Sequence, residues 1–568
     1  MVRRVRFIQI FFITILTLIG LRAFDLQIIK SDQIISRAHK RFDHTAQLSP
    51  YRGTIYDNSG QPLAISLDVK SIAANPRLIK DPARAASKIA RILDIDRGCL
   101  LKRLRSDKYF AWIKRHATPD EVKAVKALDM SGIGFYDEAK RFYPESEALA
   151  NLLGIVGIDG QGLEGLELVY DHTLKGQSRH IEINKDGRGR IIYARGLPAD
   201  EAKDGNALWL TIDRRLQYIA FCELKKTVQA NNARSGFIII TNPTTGEIHA
   251  MTSYPSFDPN RSSYRDMSGH KNRAIVDLFE PGSVIKPMWV SWGLEHDFFK
   301  SSQLIFCENG RFKFHRAVIH DHEKYGWLPI RDIIKFSSNI GIAKLVDPID
   351  APNMYSCLKA FGLITPTGID FPGEPGGLAR DPDTWTSVDK ATISFGQGIA
   401  VTGIQLITSF NALINGGMLM KPLLIDRITD TAGKEINCFR PTIQRKVVSG
   451  DISTEVLGML KSVASEGGTA EAAIMKNYQV FGKTGTAQKI DPLTGTYSKS
   501  AYISTFAGGI IDSRGRPRLS MIISIDEPKP NYYASVVACP VFKKIAYQCV
   551  NIMDIRPLIT IAKKGDNP

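Results

Sequence analysis

A run of fifteen residues without any charge, Phe7 to Leu21, lies close to the start of the chain, and three arginines precede it within the first six residues. As a helix this run would extend about 22 Å, which is short of a hydrocarbon core of about 30 Å. The helix is therefore predicted to continue past Arg22, whose long side chain can reach the interface. No small-residue cleavage site follows the run, so the sequence predicts an uncleaved membrane anchor rather than a signal peptide.

The basic residues before Phe7 predict which side of the membrane the start of the chain occupies. Cytoplasmic flanks are enriched in lysine and arginine, so we expect residues 1–6 to be a cytoplasmic tail. Residues 7–29 would then form a single-pass anchor, and everything from about Lys30 onward would lie outside the cytoplasm.

Composition narrows the class of the remaining chain. At 568 residues and 43% hydrophobic, it is long enough for two or three domains with real cores. The net charge of +16 is compatible with nucleic acid, anionic lipid or an anionic polymer, but no zinc-finger spacing or arginine-rich run favours nucleic acid. Seven cysteines without a C-x-x-C give neither a metal site nor a disulfide framework, so no cofactor or metal is predicted. Cys539 and Cys549 are the only close pair.

Two domains are predicted after the anchor, and the fold class is α+β. Residues 30–205 mix short β-rich runs with helical stretches and contain no catalytic set. RGTIYDNSGQPLA, at Arg52 to Ala64, predicts a hairpin with its turn at Asn58 to Gly60. Gly160 to Glu167 and Lys185 to Arg190 are predicted loops.

A second domain, residues 206–560, opens with ALWLTI as a strand. An amphipathic helix is predicted from Asp213 to about Gln229, followed by a hairpin from Gly236 to Ser253. These elements indicate an antiparallel sheet flanked by helices.

The first motif that carries chemistry is FEPGSVIKP, in which Lys286 follows Ser283 by three residues. On a helix starting near Gly282 the two side chains share a face, which sets a nucleophile beside its base. A serine in the first helical turn also has a free backbone N–H, which can stabilise an oxyanion. S-x-x-K is short, and Ser268 with Lys271 matches it by chance in a polar stretch.

The second motif is S-x-N, in IIKFSSNIGIAKL. Ser337 and Asn339 precede an apolar helical run, so both can point into a cleft, although a helix N-cap by Ser337 or Ser338 is the alternative. Ser409 with Asn411 also matches, but lies within an apolar helical stretch where the two side chains would face away from each other.

The third motif is K-T-G, formed by Lys483, Thr484 and Gly485 and followed by Thr486. Alternation before Lys483 predicts an edge strand, and a strand lined by lysine and threonine suits a substrate with a carboxylate. A P-loop would need a glycine where Asn477 stands, so an NTPase is not favoured. Similarly, the G-x-G at Gly396 and Gly398 has Val401 where a dinucleotide-binding fingerprint needs its third glycine.

S-x-x-K, S-x-N and K-T-G in this order within one domain form a strong joint signal. The chain resembles the class B penicillin-binding proteins, which are membrane-anchored peptidoglycan D,D-transpeptidases. NRAIVDLFEPGSVIKPM, SSNIGIAKL, FPGEPGG and GKTGTAQ are similar to the division-specific, penicillin-binding protein 3 branch, whereas the elongation branch tends to carry an acidic residue where Asn339 stands. RGTIYDNSG and GLEGLE resemble markers of the family's non-catalytic pedestal, or dimerisation-type, domain. The chain departs from the family at Asn58, near which an arginine is usual, and at Ala534 and Ser535, which replace paired glycines.

The resemblance implies a mechanism. Ser283 would attack the D-Ala-D-Ala carbonyl of a stem peptide and form an acyl-enzyme, with Lys286 as the base and its pKa lowered by the charge of Lys483. The remaining roles are a proton relay by Ser337, contacts to Lys286 and the substrate amide by Asn339, carboxylate binding by Lys483, Thr484 and Thr486, and an oxyanion hole formed by the backbone N–H groups of Ser283 and Thr486.

The resemblance also implies partners and a location. Stem peptides are the expected substrates and β-lactams the expected covalent inhibitors. A glycosyltransferase of the SEDS family and other division proteins are expected partners in the bacterial inner membrane, with a periplasmic catalytic domain and no nucleic acid. An elongation-type transpeptidase, a carboxypeptidase, a β-lactamase, a penicillin-sensing receptor and an inactive scaffold remain the alternatives.

Overall fold

A computed structural model of the chain describes residues 2–31, 43–48, 50–177, 179–185, 191–195, 204–261, 269–315, 317–491 and 494–558. The chain divides into two compact units. The first combines residues 1–52 with 175–205, and the second combines residues 53–174 with 206–568.

The first unit begins with one long helix. Val2–Phe24 is α-helical and continues as a π-helix over Asp25–Ile29, so the helix extends past Arg22 as the sequence predicts. Within it, Val5–Ile29 is long and apolar enough to cross a membrane, about 37 Å at 1.5 Å per residue. Asp25 pairs with Arg22 at 2.8 Å and with Lys30 at 2.9 Å, which neutralises the only acidic residue of this segment.

The first unit also contains a three-stranded antiparallel sheet. Arg179–Lys185 is its central strand, between Asp43–Leu48 and Ile191–Arg195. The predicted loop from Lys185 begins at the end of this central strand, and residues 186–190 lie outside the described residues.

The second unit holds most of the secondary structure. Its α-helices are Pro82–Leu93, Arg97–Leu104, Pro119–Lys126, Ala150–Leu153, Gly165–Val169, Asp171–Leu174, Arg214–Ala230, Arg273–Val276, Lys286–Glu295, Ile330–Phe336, Asn339–Val346, Ala351–Ala360, Ser387–Ser394, Gly403–Ala412, Gly450–Val463 and Ala534–Ile552. Its strands are Ile55–Tyr56, Pro62–Ala74, Ala111–Ala117, Ile133–Phe142, Ala207–Leu210, Ser235–Thr241, Ile248–Tyr254, Leu304–Phe306, Arg311–Phe314, Ala317–His320, Trp327–Pro329, Leu378–Ala379, Ile399–Ala400, Met418–Met420, Ile425–Thr429, Glu435–Cys438, Ile443–Lys446, Gln479–Ile490, Tyr497–Ile511 and Pro517–Asp526.

A five-stranded antiparallel sheet forms the centre of the second unit. Its strand order is Ile248–Tyr254, Ser235–Thr241, Pro517–Asp526, Tyr497–Ile511 and Gln479–Ile490. Helices Arg214–Ala230, Gly403–Ala412 and Ala534–Ile552 pack against it. The hairpin and the helix predicted at the start of this domain are therefore confirmed, as is the edge position of the strand that carries the K-T-G motif.

A second sheet joins the early part of the unit to its later part. Ile55–Tyr56 pairs in parallel with Ala207–Leu210 and antiparallel with Pro62–Ala74, which confirms the predicted hairpin. Asp57 fixes the turn of this hairpin, because its carboxylate accepts hydrogen bonds from the backbone N–H groups of Ser59 and Gln61 at 2.9 and 2.7 Å. The sequence predicts the turn at Asn58 to Gly60, and the structure shows that the preceding Asp57 stabilises it through its side chain.

A smaller hydrophobic core lies beside the main one. Apolar residues of Pro62–Ala74, Ala111–Ala117 and the helices Pro82–Leu93, Arg97–Leu104 and Pro119–Lys126 form it. Each of these helices has a side-chain N-cap, including a reciprocal capping box at Thr118 and Glu121. The segment is therefore an α+β lobe with its own core.

The segment GLEGLE departs from the predicted loop. Gly165–Val169 is helical, so the prediction is wrong for the last three residues of Gly160 to Glu167. The reason is tertiary: the fully buried carboxylate of Glu167 accepts a 2.7 Å hydrogen bond from the guanidinium of Arg141. The sequence left open whether Cys539 and Cys549 pair; both are free and lie ten residues apart on one helix, too far along the axis to be bridged.

The glycine requirement in GLEGLE gives a stability prediction. A Cβ on the buried Gly162 would overlap the backbone carbonyl of Glu167, so Gly162→Ala should destabilise the chain by about 1–3 kcal/mol, the usual range for overpacking. The matched control is Gly458→Ala, because Gly458 is exposed inside Gly450–Val463 with no atom within 4 Å of a new Cβ. This control should be neutral or stabilising by up to about 1 kcal/mol. Urea denaturation measures both, and an equal effect of the two changes would contradict the packing argument.

Candidate active site

Ser283 lies in a tight turn at the start of a buried helix. Gly282–Ile285 forms a 3-10 turn and Lys286–Glu295 continues it as an α-helix, so the predicted helix start near Gly282 is confirmed. Gly282 has a φ of +54°, a conformation that glycine adopts readily. Ser283 therefore lies within the 3-10 turn, and Lys286 is the first residue of the α-helix that follows.

Gly396, which belongs to the G-x-G pattern that does not fit a dinucleotide-binding fingerprint, supports this turn. The N–H of Gly282 donates to the carbonyl of Gly396 at 3.1 Å, and a Cβ on Gly396 would overlap the Gly282 backbone. Two further backbone hydrogen bonds of 2.9 Å join Phe279 and Val401. The glycine at 396 thus serves close backbone packing behind the turn, a role that the G-x-G pattern alone did not indicate.

Lys286 is fully buried, and its ammonium nitrogen contacts the S-x-N segment. Its Nζ donates to the Ser337 carbonyl and to Asn339 Oδ1, both at 2.7 Å, and lies 3.4 Å from Ser337 Oγ. Among the described residues the Ser283 hydroxyl has no hydrogen-bond partner. The lysine is thus bound to the second motif, while the serine hydroxyl is available to a ligand.

Two adjacent serines divide the roles that the sequence left open. Ser338 is the N-cap of Asn339–Val346, since its Oγ accepts from the Gly341 N–H at 2.8 Å. Ser337 has a left-handed φ of +59° between that helix and the preceding helix Ile330–Phe336, and its side chain lines the cleft. Ser338 is therefore the helix N-cap that the sequence offered as an alternative, and Ser337 is the serine that lines the cleft.

Asp321 organises this segment, and no sequence pattern indicated it. Its carboxylate accepts hydrogen bonds from Ser338 Oγ at 2.6 Å and from the N–H groups of Asn339 and Ile340 at 2.5 and 3.0 Å. A carboxylate on the first N–H groups of a helix satisfies donors that would otherwise be unpaired. Asp321 therefore fixes the helix start from which Asn339 reaches Lys286.

The K-T-G strand closes the opposite wall. Lys483 is fully buried, and its Nζ donates to Ser337 Oγ at 2.8 Å. Thr484 donates its hydroxyl hydrogen to Thr469 Oγ1 at 2.9 Å, and Thr486 Oγ1 accepts from the Ala534 N–H at 3.3 Å. All three motifs thus meet, with two lysine side chains converging on the hydroxyl of Ser337.

Burial is the main cause of the altered acidity of both lysines. It lowers the pKa of Lys286 to about 7, while the negative charge of Asp321 acts in the opposite direction. Burial and then the charge of Lys286 hold the pKa of Lys483 well below its usual value. The predicted cause of the Lys286 shift, the charge of Lys483, is therefore wrong, because desolvation is the dominant effect.

The cleft has a volume of about 540 Å³, and five of the site residues named from the sequence line it, whereas Lys286 and Lys483 are buried behind its surface. Ser283, Ser337, Asn339, Thr484 and Thr486 line it. Its remaining walls are formed by Gly282, His320, Asp321, His322, Phe336, Phe395, Gln397, Thr469, Ala487, Gln488, Tyr502, Tyr532, Tyr533, Ala534 and Ser535. The described part of the chain contains no group of three or more His, Cys, Asp or Glu side chains that could hold a metal ion.

The family departures at Ala534 and Ser535 are accommodated by helical backbone. Ala534 is the first residue of Ala534–Ile552, and neither residue has a positive φ. Ala534 and Ser535 therefore need no glycine flexibility at this wall of the cleft.

The duplicate S-x-N motif is not brought to the cleft. Ser409 and Asn411 are buried in Gly403–Ala412, where Ser409 donates to the Phe361 carbonyl at 2.6 Å and Asn411 to Thr241 Oγ1 at 3.0 Å. Ser268 lies outside the described residues.

Comparisons with known proteins agree with this fold. Residues 236–547 match the penicillin binding protein transpeptidase domain, and residues 47–210 match the penicillin-binding protein dimerisation domain. The chain belongs to the penicillin-binding protein transpeptidase family.

Individual relatives cover nearly the whole chain. The chain is 33% identical to the probable peptidoglycan D,D-transpeptidase PenA of Neisseria meningitidis, over 94% of this chain and 90% of the relative. It is 32% identical to the peptidoglycan D,D-transpeptidase FtsI of Escherichia coli, over 94% and 89%. Among solved structures, penicillin binding protein 3 of Mycobacterium tuberculosis complexed with aztreonam is 25% identical with a TM-score of 0.70, covering 90% of this chain and 98% of that one.

The position of Asp321 gives a prediction about the Lys286 pKa. If neutral Lys286 is the base, the rate of Ser283 acylation should rise with pH through a midpoint of about 7. Because the charge of Asp321 raises the pKa of Lys286, Asp321→Asn should move that midpoint to lower pH. Glu323→Gln removes the same charge two residues away and should leave it in place. Stopped-flow acylation by one β-lactam at a series of pH values measures this, and identical midpoints in the two variants would contradict it.

Proposed function

We propose that this chain is a serine-type peptidoglycan D,D-transpeptidase that cross-links D-Ala-D-Ala stem peptides during division. The observation that carries the proposal is the convergence of Lys286 and Lys483 on the Ser337 hydroxyl, beside the turn that presents Ser283. A nucleophile, a base with a pKa of about 7 and a hydroxyl relay occupy one cleft. This is the set of groups that acyl transfer to an amine requires.

The first half-reaction forms the acyl-enzyme. Ser283 Oγ attacks the carbonyl between the two D-Ala residues while neutral Lys286 takes its proton. The backbone N–H groups of Ser283 and Thr486 stabilise the resulting oxyanion. A proton then passes through Ser337 to the leaving nitrogen, the peptide bond breaks, and free D-Ala departs.

The second half-reaction transfers the acyl group. An amine of a neighbouring stem peptide attacks the ester carbon, and its proton returns through the same groups to Ser283 Oγ as the ester bond breaks. The product is a new amide and the free serine. Water attacking in place of the amine would give a carboxypeptidase side reaction.

The substrate carboxylate is assigned to the K-T-G strand. Lys483, Thr484 and Thr486 offer an ammonium group and two hydroxyls on one edge strand. Asn339 has its Oδ1 on Lys286 and its Nδ2 on the His320 carbonyl at 3.1 Å, so it can hold the base and contact a substrate amide. β-Lactams, which carry a carboxylate beside a reactive amide, are the expected covalent inhibitors.

The proposal also includes a role in septum formation and a set of membrane partners. The resemblance of FEPGSVIKP and SSNIGIAKL to the division branch supports a septal rather than an elongation role. Residues 30–205 would form a pedestal and residues 206–560 the catalytic domain. We expect a SEDS-family glycosyltransferase and other division proteins as partners in the membrane, because a cross-linking enzyme needs newly made glycan strands.

The nucleophile assignment is tested by labelling. Ser283→Ala should abolish covalent labelling by penicillin while the thermal stability of the chain is retained, because only one oxygen atom is removed at a partly exposed position. Ser268→Ala, in the duplicate S-x-x-K, is the control and should label normally. Mass spectrometry of the peptide adduct locates the label, and an adduct on Ser268, or labelling of Ser283→Ala, would overturn the assignment.

The proposed topology places residues 1–6 in the cytoplasm and the catalytic cleft outside it. The helix Val5–Ile29 and the arginines before it support this orientation. A reporter fused after Pro568 should be active only if it functions outside the cytoplasm, and the mature chain should retain its first residues. A reporter active only in the cytoplasm, or a mature chain beginning near Ala23, would contradict the topology.

A further inference from the structure

A two-stranded hairpin lies between the S-x-x-K and S-x-N motifs. Arg311–Phe314 pairs antiparallel with Ala317–His320. Phe312 and Phe314 pack against the main core, and Ile319, which pairs with Phe312, is buried. Because side chains alternate along a strand and directly paired residues share a face, one face of the hairpin is thereby fixed against the protein.

The other face of the hairpin is exposed and basic. Arg311 is paired with His320 and Lys313 with Val318, and all four side chains are exposed. Among the residues that the structure describes, neither Arg311 nor Lys313 forms an ion pair. We call Arg311, Lys313 and His320 the basic hairpin face.

A lysine on the opposite face of the hairpin, by contrast, is paired with an acidic residue. Lys344, which packs over Phe312 at 4.6 Å on the core side of the hairpin, is paired with Glu308 at 2.5 Å. The exposed cations Arg311 and Lys313 have no such acidic partner within the described chain. Their charges are therefore available to an anionic ligand.

The basic hairpin face is continuous with the active-site cleft. His320 lines the cleft, and its carbonyl accepts from Asn339 Nδ2 at 3.1 Å. Asn339 in turn accepts from Lys286, which contacts Ser337 together with Lys483. A line of contacts thus leads from Lys483 across the cleft to the hairpin.

We propose that the basic hairpin face binds carboxylates of the donor stem peptide, in the segment that precedes D-Ala-D-Ala. This inference rests on the proposed function, and it adds a specificity-determining surface that the three motifs do not include. We assign this surface to the donor peptide because the terminal carboxylate of the donor is assigned to Lys483, Thr484 and Thr486. The proposed contact of Asn339 with a substrate amide directs the rest of the peptide toward the hairpin, because Asn339 Nδ2 also donates to the His320 carbonyl.

The physical basis is charge complementarity at a partly exposed surface. Each ion pair there contributes modestly, so two of them give an effect of severalfold on binding rather than a requirement for reaction. The contribution should fall with added salt, since exposed charges are screened. The hairpin would therefore select among peptides and leave the chemistry at Ser283 unchanged.

The test uses the full-length chain in detergent and two synthetic pentapeptides ending in D-Ala-D-Ala. One carries two glutamates before the D-Ala residues, and the other carries glutamines at the same positions. The double variant Arg311→Gln/Lys313→Gln is compared with the control double variant Lys123→Gln/Lys126→Gln. The control removes two exposed cations from the small lobe that form no ion pair with any described residue. D-Ala release gives kcat and KM for each peptide, and a β-lactam reports on the cleft itself.

The wild-type chain and the control should prefer the glutamate peptide, through a lower KM. The hairpin variant should lose that preference, with its KM for the glutamate peptide raised roughly fivefold, kcat retained, and β-lactam acylation unchanged. Equal loss for both peptides would mean a structural role and would overturn the proposal, as would a preference that survives in the hairpin variant.

Two further measurements separate donor binding from acceptor binding, and failure of the hairpin inference from failure of the proposed function. With a saturating donor, the KM for a glutamate-containing acceptor amine should be the same in wild type and variant. If that KM rises while the donor KM does not, the surface belongs to the acceptor and the proposal is wrong. If the wild-type chain forms no β-lactam adduct on Ser283, the proposed function fails, whereas intact adducts without any glutamate preference refute the hairpin inference alone.

Discussion

The site depends on two lysine side chains that are buried against one serine hydroxyl. Lys286 and Lys483 have no exposed surface, and both reach Ser337 Oγ. Burial of two ammonium groups in one place is unfavourable, so the pKa values of both are lowered and at least one proton is held weakly. An amine whose pKa lies near neutral pH is partly unprotonated there and can therefore accept a proton as a general base. For Lys286 this property arises from burial.

The surrounding fold maintains this arrangement with rigid backbone contacts. Gly396 packs against the backbone of Gly282 on one side of the turn. The K-T-G edge strand packs against the other side, where Val284 lies so close to Gly485 that a Cβ at position 485 would not fit. Asp321 holds the start of the helix that carries Asn339. Functional groups held by helix starts and an edge strand are positioned more tightly than groups on long loops.

Sequence patterns predicted the parts of the structure that are local. The Ser283 turn, the edge strand of Lys483 and the early hairpins follow from spacing, alternation and turn residues. Contacts between distant segments were not predictable: Asp321 lies sixteen residues before Ser337 with no motif around it, and the partner of Gly396 is more than a hundred residues away. The GLEGLE helix was missed for the same reason, because a buried ion pair between Arg141 and Glu167 overrides the glycine content.

The lowered pKa of Lys483 links substrate binding to the state of the base. A carboxylate arriving at the K-T-G strand places a negative charge near Lys483, which raises the pKa of Lys483 and favours its ammonium form. An ammonium at Lys483 in turn disfavours a second charge on Lys286, since the two side chains share Ser337. In the proposed mechanism, binding of the terminal carboxylate therefore shifts the proton toward Lys483 and leaves Lys286 neutral beside the nucleophile. Peptides without that carboxylate would lack this effect, so in the proposed mechanism the same two buried lysines serve both selection of the substrate and activation of Ser283.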